Sequence, residues 1–264
     1  MWTAEYARHI RSFLPRQGGT AHPNHGVPMV DMPIALVTGG NKGIGKEVVR
    51  GLARLGQRVY LGSRDLARGK VAVEDLRSDG DIQVIQLDVL STESVQSAAK
   101  EIEARHGRLD VLINNAGIIA GRRQPSEEAV EDFRAVFETN VFGVVRVINV
   151  FLPLLRRSPA ARIVNVTSLR GSIGDEEAWA GQPSMLYASS KTALNALTAH
   201  YAHELSATAI RVFGAAPSHV ATDMNNFRGK HTTAEGAAIV VKLATEDGNW
   251  VSGSNYSDVR RLPW

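Results

Sequence analysis

Ile34-Ala35-Leu36-Val37-Thr38-Gly39-Gly40-Asn41-Lys42-Gly43-Ile44-Gly45 is the stretch whose reading decides the fold. Ile34 to Val37 is short and wholly apolar, as expected of a strand buried on both faces. The glycine-rich turn leads into a helical pattern ending near Leu55, and Gly56 suits the C-terminal cap. Strand, turn and helix in this order aim free backbone N–H groups and the positive helix end at one point, where a pyrophosphate can sit. The spacing of Gly39, Gly43 and Gly45 departs from the commoner G-x-G-x-x-G. A purely structural turn is the alternative, and the context favours a nucleotide site.

Outward from this stretch the same alternation continues. Strands are expected at Arg58 to Gly62, Ile82 to Leu87, Val111 to Ile113, Arg162 to Val166, Ile210 to Gly214 and near Gly253 to Tyr256. Helices are expected from Asp65, as N-cap, to about Ser78, from Ser91 to about Arg105, and from about Glu127. Others follow from about Asn140 to Leu155, through Tyr187 and Lys191 to about Ser206, and from Ala234 to Ala244. Alternating strands and helices predict right-handed βαβ units, an α/β doubly wound parallel sheet and one domain over residues 34–264. Ligands of such sheets bind outside the carboxyl ends of the strands. Gly39 to Gly45, Asp88, Asn114 to Gly117, Ser168 and Pro217 all fall at those ends.

Composition removes several classes. With no cysteine among 264 residues, disulfides and thiol-based sites are excluded. Thirty basic and 27 acidic residues are scattered, with a net charge of +3, which leaves no nucleic-acid footprint. No metal-like spacing is seen among the eight histidines. No apolar run reaches membrane-spanning length, so neither a membrane nor a nucleic-acid partner is expected, and the cytoplasm is the expected compartment. Residues 1–33 read as a flexible leader, with Gly, Pro and His between Pro15 and Pro28 and no signal-peptide pattern.

One pair of residues points to chemistry. Tyr187 and Lys191, four apart in Tyr187-Ala188-Ser189-Ser190-Lys191, share a helix face. A nearby ammonium favours the phenolate and moves its pKa toward the working range. Such pairs also occur on helices where the tyrosine simply packs and the lysine is solvated.

Taken together, Thr38-Gly39-x-x-x-Gly43-x-Gly45, Asn114-Asn115-Ala116-Gly117, Asn140, Ser168 and Tyr187-x-x-x-Lys191 resemble, in order, the short-chain dehydrogenase/reductase family. The resemblance runs from about Ile34 to Trp264 and implies a Rossmann-type sheet. Lys42, the length between Ser168 and Tyr187, and the terminal Pro263-Trp264 are similar to its carbonyl-reductase-like branch. It implies hydride transfer between a nicotinamide cofactor and an alcohol/carbonyl pair. Tyr187 would donate a proton to the carbonyl oxygen. Lys191 would lower the phenol pKa and bind the nicotinamide ribose. Ser168 would hold the substrate oxygen. Asn140 would place a water that links Lys191 to solvent; on sequence alone a buried, satisfied side chain is the alternative. Cofactor contacts would come from Gly39, Asn41, Lys42, Gly43, Ile44 and Gly45 in the turn. Arg64, Asp88, Val89, Asn114, Ala116 and Gly117 would follow at the next strand ends, then Pro217, Val220 and Thr222, with Tyr187 and Lys191. No metal is implied.

NAD selection usually places an acid at the end of the second strand. Here Ser63-Arg64 stands there, with Lys42 in the turn, so NADP(H) is expected over NAD(H), and Asp65 is read as a helix cap. Two features depart from the family pattern. Ser218 follows Pro217 where glycine is usual, with possible crowding of the nicotinamide, and residues 223–233 are short for a substrate-covering loop. The segment from Leu169 to Leu186 is long, with Asp175 capping a helical turn, and makes Trp179 and Met185 candidate walls for a hydrophobic, aromatic or cyclic carbonyl substrate. Packing of Trp179 onto the domain is the alternative. A related insertion in that branch covers the family's helix-to-helix interface, so a monomer is expected over a homo-oligomer.

A cofactor-binding sensor with little turnover is the alternative function, and an epimerase or dehydratase a third. The intact proton-relay residues speak against the sensor; the absence of an added C-terminal substrate domain speaks against the epimerase. A chain starting at Met29 is expected to keep its melting temperature and activity and to scatter light as a monomer. A large loss, or a stable tetramer, would contradict these readings.

Overall fold

The computed structural model describes residues 32–264. Nearly all of the expected leader, residues 1–33, lies outside them. Seven strands form one parallel sheet: β1 (Ile34–Thr38), β2 (Arg58–Ser63), β3 (Ile82–Gln86), β4 (Val111–Asn114), β5 (Arg162–Val166), β6 (Arg211–Ala215) and β7 (Asn255–Tyr256), in the order β3-β2-β1-β4-β5-β6-β7. Chain order and spatial order part company between β1 and β4, which opens a crevice at their carboxyl ends.

Neighbouring residues of each strand serve opposite faces. Leu36, Tyr60, Leu112, Ile163 and Val212 meet α3 (Thr92–His106), α5 (Gly143–Leu155) and α6 (Met185–Glu204). Ala35, Val37, Leu61, Ile113, Val164 and Phe213 meet α1 (Gly43–Arg54), α2 (Leu66–Asp75) and α7 (Thr233–Thr245). Burial on both sides explains why the strands read as continuous apolar runs. Asp65 caps α2, accepting from the Arg68 N–H at 3.1 Å, and Ser91 caps α3 in the same way. Gly56, at φ +80°, follows the end of α1 in the left-handed conformation that glycine adopts without strain.

The helices expected from about Glu127 and from about Asn140 are joined in one span. Helix α4 (Val130–Phe137) runs through a π turn, Glu138–Phe142, directly into α5. The 26 residues Val130–Leu155 are long and apolar enough to cross a membrane, a length that the sequence reading did not find. In this fold Val144, Val147, Ile148, Phe151, Leu154 and Leu155 are core residues. The strand expected from Gly253 is only Asn255–Tyr256, because Gly253 turns at φ +88°.

A single hydroxyl fastens the crevice. Thr38 Oγ1 accepts from the N–H groups of Asn115 and Ala116, each at 3.0 Å, and donates to the Ile113 carbonyl. The Asn115 amide donates to the carbonyls of Thr38 (2.9 Å) and Gly39 (3.1 Å). A Cβ on Gly45 would fall 2.4 Å from that amide nitrogen, so the close approach admits only glycine. Thr38→Val keeps the shape but leaves two N–H groups without an acceptor. It is expected to cost about 2–3 kcal/mol in denaturant unfolding, and an unchanged midpoint would show that the hydroxyl is not the fastening.

Candidate active site

Tyr187 and Lys191 sit in the first two turns of α6, and Ser168 lies just beyond β5. Ser168 opens a 3-10 turn, Leu169–Gly171, its Oγ accepting from the Arg170 N–H at 3.2 Å. Helix α6 comes down directly on this turn. A Cβ on Gly171 would be 2.6 Å from the Lys191 backbone, and the Gly171 carbonyl accepts from Thr192 (3.1 Å) and Asn195 (3.0 Å). Glycine at 171 therefore sets the distance between Ser168 and Tyr187.

Lys191 is 4% exposed. Its Nζ donates to the Val166 carbonyl at 2.7 Å and lies 5.6 Å from the centre of the Tyr187 ring. Burial lowers the ammonium pKa to about 8. Burial also raises the Tyr187 phenol above its ordinary 10.0. The groups opposing that rise are the Ser168 hydroxyl, hydrogen-bonded to the phenol, and the charge of Arg170. The net direction is upward, against the lowering toward the working range expected from Lys191.

Asn140 is completely buried in the π turn. Its amide donates to the Ile118 carbonyl (2.9 Å) and to Ser190 Oγ (3.0 Å), and its Oδ1 accepts from the Ile118 N–H (2.8 Å). Asn140 is therefore a satisfied clamp on the chain after β4. It also reaches α6, because Ser190 Oγ donates to the Tyr187 carbonyl. A Cβ on Gly117 would lie 3.3 Å from Asn140 Oδ1 and 3.6 Å from Lys191 Nζ, so the Gly117 backbone separates the two.

The expected cofactor contacts line the same edge. No side chain caps α1 and no acid stands in its first turn, whereas α2, α3 and α7 carry side-chain caps. Gly43 turns at φ +56°, and a Cβ built on it would lie 3.7 Å from the Thr222 methyl. This cradle of free N–H groups fits a pyrophosphate. Asn114 donates to Asn165 (2.9 Å), which donates to Thr198, while Asn114 Oδ1 is buried and unpartnered, as suits a ribose hydroxyl. Asp88 accepts from the Leu90 N–H, and Val89 is buried beside Gly143. Arg64 is exposed and in no ion pair among the described residues. Asp65 is engaged by its cap and by Arg68 at 3.3 Å. Lys42, expected beside a 2′-phosphate, is paired with Asp223 of the loop after β6. Val220 packs against Gly236 of α7 and is a wall of the loop.

Ser218 does not project freely from its loop: its hydroxyl donates to Asp258 at 2.8 Å. Asp258 belongs to a C-terminal segment that also holds the long insert. Arg260 pairs with Asp175 at 2.6 Å, the Gly174 N–H donates to the Trp264 carbonyl, and Ser172 donates to the Pro263 carbonyl. Within the insert Asp175 caps the turn Glu176–Trp179, as expected. Trp179 is 70% exposed, with its indole N–H donating to the Ile173 carbonyl at 3.3 Å, so its ring is not packed into the domain.

Thr38, Asn115, Ser190, Arg170 and Gly171 were not singled out by sequence reasoning. Thr38 and Asn115 carried a signal, as members of the Thr38–Gly45 and Asn114–Gly117 motifs.

The geometry agrees with known proteins. The family model for short chain dehydrogenases matches residues 33–233. The short-chain dehydrogenase anuI of Penicillium roqueforti is 40% identical over 228 residues, covering 82% of this chain and 90% of the relative. Salutaridine reductase of Papaver bracteatum is 33% identical, over 85% of this chain and 94% of its own. Among solved structures, the Pseudomonas aeruginosa RhlG/NADP active-site complex superposes with a TM-score of 0.78 at 30% identity, covering 87% of this chain and 95% of that one. With the parallel sheet, the glycine turn and the Tyr-Lys helix in one chain, the protein belongs to the short-chain dehydrogenase/reductase family of oxidoreductases.

Proposed function

We propose that the protein reduces a hydrophobic ketone or aldehyde to its alcohol with NADP(H) as cofactor. The observation that carries the reading is the convergence of Ser168, Tyr187 and a buried Lys191 at the carboxyl edge of the sheet, beside an uncapped helix terminus. The cofactor, when bound, supplies the hydride. The chain's part is to bind, orient and move a proton. Tyr187, with its pKa raised, keeps its proton at neutral pH and donates it to the substrate oxygen. The Ser168 hydroxyl holds the same oxygen and steadies charge as it develops. Lys191, fixed by the Val166 carbonyl, presents its remaining N–H groups to the cofactor ribose. Asn140 holds Ile118 in place and keeps a lone pair for a relay water.

NADP(H) preference rests on Arg64. It stands free at the end of β2, where the neighbouring acid is already committed to capping a helix. The P. aeruginosa relative's NADP complex is in keeping with this.

Tyr187→Phe keeps the ring and is expected to lower turnover about 10²–10⁴-fold with cofactor still bound. Near-normal turnover would remove Tyr187 from the proton step. Lys191 is charged below its pKa of about 8, so kcat/KM for reduction should be level through neutral pH and fall above that value. A profile that rises there would contradict the role given to the ammonium. Arg64→Ala should weaken NADPH binding about tenfold, the worth of one charge-assisted contact, and leave NADH nearly unaffected. Equal weakening of both, read by fluorescence titration, would rule out a 2′-phosphate contact.

A further inference from the structure

Arg170 stands two residues beyond Ser168, half-buried, and is not required by any step above. Its Nη1 donates to the Ala178 carbonyl at 3.3 Å. A Cβ on Gly181 would be 3.2 Å from its Nη2, so the insert runs close over the guanidinium. It enters no ion pair among the described residues. Within the insert Asp175 pairs with Arg260 at 2.6 Å and Glu177 faces the same arginine at 3.9 Å, while Glu176 is exposed and enters no ion pair among the described residues. Arg122, on the loop after β4, donates to Gln182 at 3.1 Å and likewise has no acidic partner among the described residues. The acids of that loop are only partly occupied, and Glu128 Oε2 is buried without a hydrogen-bond partner among the described residues. Glu127 and Glu128 accept from the N–H groups of Gln124 and Arg123, and Asp132 faces Arg123 at 4.0 Å. Two guanidiniums therefore donate into residues 178–182, each to a neutral oxygen.

A guanidinium partly removed from water and left with a lone carbonyl gains most from an oxyanion, above all a planar carboxylate that takes its fork of donors. We propose that Arg170 is the specificity residue of this site and receives a carboxylate on the substrate, so that the preferred substrate is a hydrophobic carbonyl compound carrying an acid group. This rests on the reductase reading. Arg170 lies close enough for its charge to pull the Tyr187 phenol down against the effect of burial. A carboxylate seated on the guanidinium offsets that pull and reinforces the protonated form that the phenol already has at neutral pH.

The test compares para-acetylbenzoate with its methyl ester on the full chain, as wild type, Arg170→Gln and Arg170→Lys. Binding is read by calorimetry and reduction by NADPH absorbance. In the wild type the acid should bind, and show a lower KM, by about tenfold or more relative to the ester, the worth of a charge-assisted contact. In Arg170→Gln the acid-to-ester ratio should fall close to one, through KM more than kcat, and Arg170→Lys should recover part of it. NADPH affinity and melting temperature show that each variant is folded. No preference for the acid in the wild type, or a ratio unmoved by Arg170→Gln, overturns the proposal. Arg170-dependent binding of the acid with no reduction of either ketone upholds the anion site and overturns the reductase reading instead.

Discussion

An ammonium kept out of water is the constraint on which the rest of the site depends. Lys191 gives up its hydration at a cost of several kcal/mol even after relaxation, and the Val166 carbonyl is its protein partner. That carbonyl is free to accept because it lies at the carboxyl end of β5, at the sheet's edge. The lysine therefore fixes helix α6 to the end of a strand, and Tyr187, one turn earlier, is carried with it. Gly171 allows the contact by letting backbone approach backbone. The strand end, the glycine and the lysine are one device, and Ser168 is positioned as part of it.

Much of this was legible in the chain itself. Strands buried on both faces leave apolar runs that need little interpretation, and Asp65, Ser91 and Asp175 announced their caps. Glycines with a single purpose, such as Gly45 under the Asn115 amide, were readable because the spacing around them is tied to a strand–turn–helix unit. The π turn at 138–142 was not, because an extra residue in a helical turn alters hydrogen-bond register and leaves composition untouched. It joined two expected helices and put Asn140 inside the protein. The partners of charged groups were the other blind spot. Lys42 and Asp223 are 181 residues apart, and nothing near either one in sequence names the other. The same holds for Arg122 and Gln182, which are 60 residues apart.

Trp179 shows the limit from the other side. A tryptophan in a segment bound to pass the pocket mouth looks like a wall, yet the 3-10 turn that carries it buries Ala178 and leaves the indole in water. Which face of a short turn points inward is decided by what the turn docks against, and here that is the C-terminal segment.

That segment bears on how the protein can diverge. Its ties run to Ser218 on one wall and to Asp175, Ser172 and Gly174 on the other, through the last seven residues, 258–264. Ser218 and the insert therefore share a single tether in residues 258–264. A disturbance of that tether would reach the substrate side before the core. Substitution within it is a route to reshaping the pocket without touching Ser168, Tyr187 or Lys191.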